Sequence, residues 1–346
     1  MTSVFVGHDF FGAGNFGDDL ALAGFLTVAA RHPNVRITIC TPYDVESQRA
    51  LFPQVRWLPG GEAEPERALR DADVWLGLGG TPFQLDSGPW LLDHNENERR
   101  RCASFGKPMY LLGIGCENPE AAADPRARSL LDSVERAWTR DERSAASLRP
   151  FIAPRQLSVG ADMAHLAFGD APAAPHDDGV VGLLLAFERA EQFDLHELET
   201  FLERRGVERT RWLVQETRTF PHVERWILAA LAPESRARLG IMELRYGTAS
   251  VQDYMRAFGT PETTVSSRYH GVVVAAWHGS KVLVVSRSAK LRGIADDLGL
   301  PQIDDLNSHA SLETALATAA AVPRGRLHAM RDRARRMCDA FFELCA

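Results

Sequence analysis

The sequence has few cysteines, no long apolar run and no excess of positive charge. Its five cysteines show no paired spacing, and their odd number argues against a disulfide framework. No apolar stretch approaches the roughly 20 residues that cross a bilayer. The opening residues, MTSVFVGHDF, lack the basic region of a secretory signal. We therefore expect a cytoplasmic protein without a transmembrane segment.

Charge and size narrow the class of protein further. The net charge of −7 argues against a nucleic-acid partner, because neutralising phosphates requires a basic face. A small anionic substrate needs only a local group of Arg and Lys side chains. With 346 residues, 45% of them hydrophobic, the chain exceeds one comfortable core and is expected to form two domains.

Short β-rich runs alternate with helical stretches in both halves of the chain. The strands predicted in the first half are SVFVG (3–7), VRITIC (35–40), VRWLP (55–59), DVWLGLGG (73–80), PMYLLGIG (108–115), RAWTR (136–140) and RQLSVG (155–160). Those in the second half are VVGLLLAF (180–187), TRWLVQE (210–216), IMELRYG (241–247), TTVSSRYH (263–270) and KVLVVSR (281–287). This alternation predicts mostly parallel sheets covered by helices on both faces.

The segment GDAPAAPHDDG (169–179) is rich in Pro, Ala, Asp and Gly, as is typical of a linker. It separates a predicted Rossmann-like domain over 1–170 from a second one over 177–323. The expected fold class is therefore α/β, with two Rossmann-like domains and a cleft between them, where ligands usually lie.

The tail 324–346 carries six arginines and is predicted to form a C-terminal helix. One interpretation is attachment to an anionic membrane surface. The alternative, which we favour, is a helix with its arginines in solvent and five apolar side chains packed on the body. Those side chains are Leu327, Met330, Met337, Phe341 and Leu344.

The loop GAGNFGDD (12–19) fits the dinucleotide pattern G-x-G-x-x-G, but its surroundings do not suit a pyrophosphate. Such a loop needs an acidic residue about 20 positions further on, and position 37 lies inside a predicted strand. Asp18 and Asp19 would occupy the first helical turn, where two like charges about 4 Å apart repel by about 4 kcal/mol. Nicotinamide binding is therefore not expected.

Polar groups of this loop suit a sugar instead. Asn15, Asp18 and Asp19 offer an amide and acceptors for hydroxyl groups, or a general base for one of them. The alternatives are that Asp18 caps the helix and that Asp19 is solvated. Gly79 and Gly80 follow another predicted strand, where glycines let a ligand approach the backbone. We expect these turns to form a binding rim.

Basic residues concentrate in the segment 265–300. Arg268 and His270 stand two apart at the end of a predicted strand, so we expect their side chains to point the same way. A predicted helix follows them, and its N-terminus favours anions. The next parallel strand would bring Lys290 to the same rim. Together these residues could hold a carboxylate and a phosphate, and His270 could move a proton; the alternative is a structural histidine.

Several motifs together resemble the polysaccharide pyruvyl transferases. They are GNFGDD, DADVWLGLGG, GIG, TRDERSAASL, ADMAHL, SSRYHG and SRSAKLRGIADDLGL, which occur in the family's order from residue 12 to about 300. The resemblance implies a two-domain fold of the glycosyltransferase-B type. It also implies transfer of a pyruvyl group from phosphoenolpyruvate to a sugar, forming a 4,6- or 3,4-linked ketal.

The resemblance also assigns roles to individual residues. Arg268 and His270 occupy the S-x-R-x-H motif, and from the chemistry we expect both to be catalytic, with His270 as acid or base. Arg140, in the R-D-x-x-S motif, and Lys290 are implied to hold phosphoenolpyruvate together with Arg268. Without the resemblance, we would interpret Arg140 as a surface residue. Asp141 or Ser144, just after it, would cap the helix.

The first domain is then expected to bind the acceptor and the second the donor. By our own inference, Asn15, Asp18, Asp19, Gly79 and Gly80 face the acceptor sugar. Phosphoenolpyruvate would be a co-substrate, with no other cofactor, and no metal-ligand spacing is present, so a metal-independent site is expected. The loop after Gly80 departs from the third glycine that many members have, which leaves the choice of acceptor open.

Two alternatives to a pyruvyl transferase stay open. One is a nucleotide-sugar-dependent glycosyltransferase of the same fold, and the other is a sugar- or anion-binding protein without turnover. The expected partners are phosphoenolpyruvate and a sugar, glycan or lipid-linked glycan. Homo-oligomer formation and peripheral contact with the inner face of a membrane also stay open.

Overall fold

The chain forms two compact units in a computed structural model. It describes residues 1–345 except 9, 62, 87, 171–174, 187–194, 208, 216–230, 244–249, 305 and 307. Unit 1 comprises Met1–Ala13, Asp18–Phe168 and Ala329–Ala346, and unit 2 comprises Gly14–Gly17 and Gly169–His328. The short stretch Gly14–Gly17, which we expected in the first domain, thus groups with unit 2.

Unit 1 contains one sheet of seven parallel strands in the order β3-β2-β1-β4-β5-β6-β7. The strands are β1 (Thr2–Val6), β2 (Val35–Thr41), β3 (Arg56–Pro59), β4 (Val74–Leu78), β5 (Met109–Ile114), β6 (Val134–Thr139) and β7 (Leu157–Val159). Its helices are α1 (Phe16–Ala29), α2 (Val45–Leu51), α3 (Ala63–Asp71), α4 (Trp90–Phe105), α5 (Pro119–Ala123), α6 (Pro125–Ser133) and α7 (Glu142–Leu148). Three short 3-10 helices follow at Arg149–Phe151, Pro154–Gln156 and Met163–Ala167.

Unit 2 repeats this strand order, with β10-β9-β8-β11-β12-β13 in one sheet. Its strands are β8 (Asp177–Leu184), β9 (Arg209–Val214), β10 (Ile241–Glu243), β11 (Pro261–Ser266), β12 (Lys281–Val285), β13 (Gln302–Ile303) and β14 (Ala320–Ala321), the last antiparallel to β12. The helices are α8 (Leu195–Arg204), α9 (Pro233–Arg238), α10 (Val251–Phe258), α11 (Tyr269–Trp277), α12 (Ala289–Leu298), α13 (His309–Thr318) and α14 (Arg324–Leu344).

The central strands are apolar along their whole length because helices cover both faces of each sheet. In unit 1 every residue of β4 and β5 is buried, and Trp75 and Leu111 lie in the core. In unit 2 the equivalent core contains Leu183, Trp212 and Leu283. Each sheet reverses its strand order where the first strand pairs with the fourth, which is where doubly wound sheets bind ligands.

The predicted parallel α/β architecture is confirmed, with differences at particular segments. The prediction of a strand over 263–270 is wrong beyond Ser266, where the chain turns and begins α11. Asp177–Gly179, assigned to the linker, open strand β8 by pairing with β11. The short strands β13 and β14 were not predicted, since two residues carry no periodic signal. Residues 187, 216 and 244–247 of the predicted strands lie outside the described residues.

Helix α14 has the amphipathic character that we expected, with two corrections. Leu327, Met330, Met337 and Phe341 are buried, whereas Leu344 is 50% exposed because the helix ends there. Arg331 is not in solvent: it is buried, and its Nη1 donates to the backbone oxygen of Phe168. Among the described residues no helix is long and apolar enough to span a membrane. The domain boundaries and the cleft stay predictions.

The packing of α14 predicts a large effect at Phe341, which is fully buried against the Tyr110 and Phe342 rings. Phe341→Ala should lower the free energy of unfolding by about 3–5 kcal/mol, through lost burial and a residual cavity. Leu344→Ala, in the exposed last turn, should change it by no more than about 0.5 kcal/mol. Urea unfolding of both variants measures the difference; equal effects would contradict this packing.

Candidate active site

The carboxyl ends of the parallel strands in unit 1 carry glycine turns and polar side chains. Gly79 and Gly80 follow β4 with φ of 64° and 72°, a backbone conformation that residues other than glycine rarely adopt. Gly115 follows β5, and Arg140 follows β6. Because the strands are parallel, these turns lie along one edge of the sheet in unit 1; that they bind a ligand stays a prediction.

Arg140 is enclosed within unit 1, with only 3% of its side chain exposed. Its Nη2 donates to Thr81 Oγ1 at 3.1 Å, and its Nε lies 3.5 Å from Asp141 Oδ2. Its Nη1 lies 4.0 Å from Asp162 Oδ2. A Cβ at Gly115 would lie 2.5 Å from Nη2, so this glycine makes room for the guanidinium. Two buried carboxylates therefore offset the charge of Arg140, and the side chain ties the loop after β4 to the loop after β6.

Asn15 caps helix α1. Its Oδ1 accepts from the Gly17 backbone N–H at 2.9 Å, and the preceding N–H, of Phe16, donates to the backbone oxygen of Gln215 at 2.8 Å. The capping residue is thus Asn15 rather than Asp18, which is half-buried. Both bonds lie within unit 2, so Asn15 belongs to the unit that we expected to bind the donor.

Asp19 is only 5% exposed, and the alternative of a solvated carboxylate is wrong. Its Oδ1 has no hydrogen-bond partner among the described residues. Burial penalises the charged form and raises the pKa of the Asp19 carboxyl from 3.8 to about 7. A carboxyl group that titrates near neutral pH can both accept and return a proton, as a general base requires.

A second buried titratable group, His8, was missed from the sequence. It lies two residues after the end of β1, is fully buried, and its Nδ1 lies 3.2 Å from the backbone oxygen of Leu78 at the end of β4. Burial, with His94 nearby, lowers the pKa of His8 to about 3, so the ring stays neutral at physiological pH. The neighbouring His94 holds the Gly7 oxygen at 2.6 Å. Their position at the strand-order reversal is the signal that could have found them.

In unit 2 the turn before α11 is held by two serines. The Ser266 hydroxyl accepts from the Arg268 N–H at 3.2 Å, and the Ser267 hydroxyl accepts from the Ala186 N–H at 2.7 Å. Arg268 has an extended backbone and immediately precedes α11, in which His270 is the second residue. The strand argument for Arg268 and His270 is therefore wrong: they flank a helix start rather than share a strand face.

The start of α1 packs against His270. A Cβ at Gly17 would lie 2.1 Å from His270 Nδ1, so a side chain at this position is excluded. The His270 ring also meets the Tyr269 ring edge-on, with centroids 5.2 Å apart. Gly17 lies in the GNFGDD motif, which by itself indicates no function for this glycine. The close approach joins residues that are distant in sequence, and no local pattern indicates it.

Lys290 begins the next helix in the way that His270 begins α11. Strands β11 and β12 pair in parallel, with Ser266 opposite Val284, so α11 and α12 start at the same edge of the sheet. Lys290 is the second residue of α12. Neither Arg268 nor Ser288, the residues that precede the two helices, makes a side-chain capping bond in the described structure. The edge therefore combines basic side chains with two helix N-termini, an arrangement that suits anions.

Comparison with known proteins assigns the family. The family model for polysaccharide pyruvyl transferases matches residues 15–288 of this chain. The chain belongs to the polysaccharide pyruvyl transferase family. The match covers Arg140, Arg268 and His270 and ends two residues before Lys290. No curated protein sequence matches the chain. Within the described residues, no group of three or more His, Cys, Asp or Glu side chains could hold a metal ion.

Solved structures with similar folds include proteins from three organisms. UDP-N-acetylglucosamine 2-epimerase from Rickettsia bellii has 11% identity and a TM-score of 0.63, with coverage of 99% of this chain and 95% of that one. The Methanocaldococcus jannaschii UDP-GlcNAc 2-epimerase has 11% identity and a TM-score of 0.62, with 99% of both chains covered. Anabaena HepE, in complex with UDP, has 10% identity and a TM-score of 0.60, again with 99% of both covered. These likenesses show the predicted glycosyltransferase-B-type fold.

The raised pKa of Asp19 makes stability depend on pH. Between about pH 4 and about pH 7 the folded state keeps a proton that the unfolded state has released, so stability falls as pH rises. The loss from this group amounts to about 4 kcal/mol. Asp19→Asn, which resembles the protonated carboxyl, should match the wild type near pH 4 and exceed its unfolding free energy above pH 7. Urea unfolding across this range checks it; equal stability of the two proteins at both ends would contradict the burial of a charge.

Proposed function

We propose that this protein transfers the pyruvyl group of phosphoenolpyruvate to two hydroxyls of a sugar, forming a ketal and releasing phosphate. The observation that carries the proposal is the position of Arg268, His270 and Lys290 at the starts of two neighbouring helices, inside a chain of the pyruvyl transferase family. Arg268 and His270 are the proposed catalytic residues.

The donor has two anionic groups, a carboxylate and a phosphate. The Arg268 guanidinium can form paired hydrogen bonds to one of them, and the Lys290 ammonium can bind the other as a point charge. The first N–H groups of α11 and α12 add donors at the same edge. Such fixed donors stabilise charge that develops on the departing phosphate. Arg140 stays a predicted ligand of phosphoenolpyruvate, and its contacts support a further role in holding the Gly79–Thr81 loop.

The reaction proceeds by two additions at C2 of phosphoenolpyruvate. In the first, a sugar hydroxyl oxygen bonds to C2, its proton passes to a base, and C3 gains a proton, for which His270 is the proposed source. In the second, the bond between C2 and the phosphate oxygen breaks, phosphate leaves with its electron pair, and the second hydroxyl bonds to C2. The second hydroxyl proton returns to His270, and the proton taken by the base in the first step leaves with phosphate, so that both groups regain their starting state.

Asp19 is the proposed base for the acceptor hydroxyl. Its burial and its pKa of about 7 support proton transfer at neutral pH. Asp18, Gly79 and Gly80 are the proposed neighbours of the acceptor, while Asn15 would contribute through its cap of α1. The acceptor is proposed to be a glycan, a lipid-linked glycan or a sugar precursor; membrane contact and oligomer formation stay predictions.

A nucleotide-sugar-dependent glycosyltransferase is the second candidate. One observation favours it: the Anabaena protein of similar fold binds UDP. The two candidates differ in the donor, so a binding experiment separates them.

Isothermal titration with phosphoenolpyruvate tests the donor. We expect saturable binding to the wild type and a dissociation constant raised about 10- to 100-fold in Lys290→Ala, since a charge-assisted contact is lost. The matched control is Lys281→Ala. Lys281 is the first residue of β12, at the end of the strand opposite to the edge where α12 and Lys290 follow. It pairs with Glu262 at 2.9 Å, so its removal should leave binding unchanged.

UDP-glucose provides the opposing arm of this titration. The proposal requires that UDP-glucose binds at least about tenfold more weakly than phosphoenolpyruvate. Tight binding of UDP-glucose without binding of phosphoenolpyruvate would reject the pyruvyl donor and support the glycosyltransferase.

Removal of the Asp19 carboxylate tests the proposed base. Asp19→Asn should reduce kcat by about 100- to 10,000-fold, the usual contribution of general base catalysis, and leave phosphoenolpyruvate binding intact. Asp18→Asn, at the adjacent position, alters a proposed contact with the acceptor but removes no base, so it should raise the KM for the acceptor and retain far more of kcat. Steady-state phosphate release with excess acceptor measures both; equal losses in the two variants would argue against a specific base at Asp19.

A further inference from the structure

Gly17 leaves no room for a side chain where the chain meets His270. A Cβ at this position would lie 2.1 Å from Nδ1, 2.8 Å from Cγ and 2.9 Å from Cε1 of the imidazole. Distances below 3.0 Å are essentially never seen for real Cβ atoms, and three atoms of one ring are involved. The His270 ring therefore rests directly on the Gly17 backbone.

Backbone conformation does not explain this glycine. Gly12 and Gly14 have φ of 92° and 80° and need glycine for that reason. Gly17, by contrast, lies inside helix α1 and is absent from the glycines with positive φ. Helical glycine is disfavoured relative to alanine. What glycine provides at position 17 is space for an imidazole.

The backbone around Gly17 is itself fixed within unit 2. The Asn15 side chain accepts from the Gly17 N–H, and the Phe16 N–H donates to the oxygen of Gln215. Gln215 directly follows β9 and is 2% exposed, so this anchor belongs to the sheet edge. A surface held by two hydrogen bonds can hold a ring in one place, which a flexible loop could not.

We propose that Gly17 is a positioning residue for His270. Gly17 sets the location of the His270 imidazole, and the imidazole can then deliver a proton to the donor. The catalytic part of this inference rests on the proposed function. The contact itself does not. The motif that contains Asn15 and Gly17 then acts in unit 2 through His270, beside any role of Asp19 towards the acceptor.

NMR of protein labelled with nitrogen-15 at histidine tests the contact without substrate. His270→Ala identifies the imidazole signals of His270 by their loss. Gly17→Ala should shift those signals and leave those of His8 and His94 in place. Gly24→Ala is the matched control, because Gly24 lies in the same helix and its Cβ would lie 1.9 Å from the Met163 oxygen. Unshifted His270 signals in Gly17→Ala would overturn the proposal.

A thermal unfolding cycle keeps the test decisive if Gly17→Ala folds poorly. In the wild-type background Gly17→Ala should lower Tm because the added methyl group collides with the ring. In the His270→Ala background the collision is gone, and the substitution should raise Tm slightly through the helical preference of alanine. Gly24→Ala should lower Tm equally in both backgrounds. The same fall for Gly17→Ala in both backgrounds would overturn the contact.

Kinetics separates positioning from mere stability. Per folded molecule, Gly17→Ala should lower kcat by about 100-fold, as misplacement of a catalytic group by about 1 Å can do, and change the KM for phosphoenolpyruvate less than threefold. Shifted His270 signals with unchanged kcat would overturn the positioning role while leaving the contact. If the wild type does not turn over phosphoenolpyruvate, the proposed function fails, and the NMR result and the Tm cycle still decide whether Gly17 positions His270.

Discussion

Parallel pairing of the strands is the constraint on which the rest of this structure depends. When all strands of a doubly wound sheet run in one direction, every loop at their carboxyl ends lies along one edge. Arg140 follows β6, Arg268 and His270 follow β11, and Lys290 follows β12. Residues that are far apart in the chain are gathered at these edges without any local signal that pairs them.

The two edges differ in how their charges are compensated. In unit 1 the guanidinium of Arg140 faces Asp141 and Asp162. The pKa of about 7 means that the buried Asp19 carboxyl is protonated in about half of the molecules near pH 7. In unit 2 two helix N-termini start beside Arg268 and Lys290. The first edge thus carries little uncompensated charge, as a neutral sugar requires, and the second suits an anion. That unit 1 binds the acceptor and unit 2 the donor stays a prediction.

Much of the fold could be predicted from the sequence because strands buried on both faces are continuous apolar runs. DVWLGLGG and PMYLLGIG became β4 and β5 for this reason, and the amphipathic tail became α14. The side-chain environments could not be predicted in the same way. Whether Asp19 faces a sugar or is solvated stayed open in the sequence, because its burial comes from distant residues. A strand rule applied to His270 failed where the chain turned into α11.

Contacts between distant segments are the other class that sequence patterns miss. Gly17 belongs to a motif that is visible in the sequence. Its proposed function depends on its contact with His270, and this contact is visible only in the folded chain. The cap of α1 by Asn15 is a similar case: asparagine is a common cap, yet its chemistry equally suits a sugar hydroxyl. In both cases the residue type allows several functions, and the contacts in the folded chain determine which one it has.

The most direct test of the central claim is the fate of C2 of phosphoenolpyruvate during turnover. Phosphoenolpyruvate labelled isotopically at C2 would be incubated with the protein and a panel of pyranosides and disaccharides, and the carbon NMR spectrum recorded with the released phosphate. Our account predicts that the label moves from an enol to a ketal carbon, in equal amount to the phosphate. Release of phosphate with free pyruvate alone, or turnover of a nucleotide sugar without consumption of phosphoenolpyruvate, would contradict it.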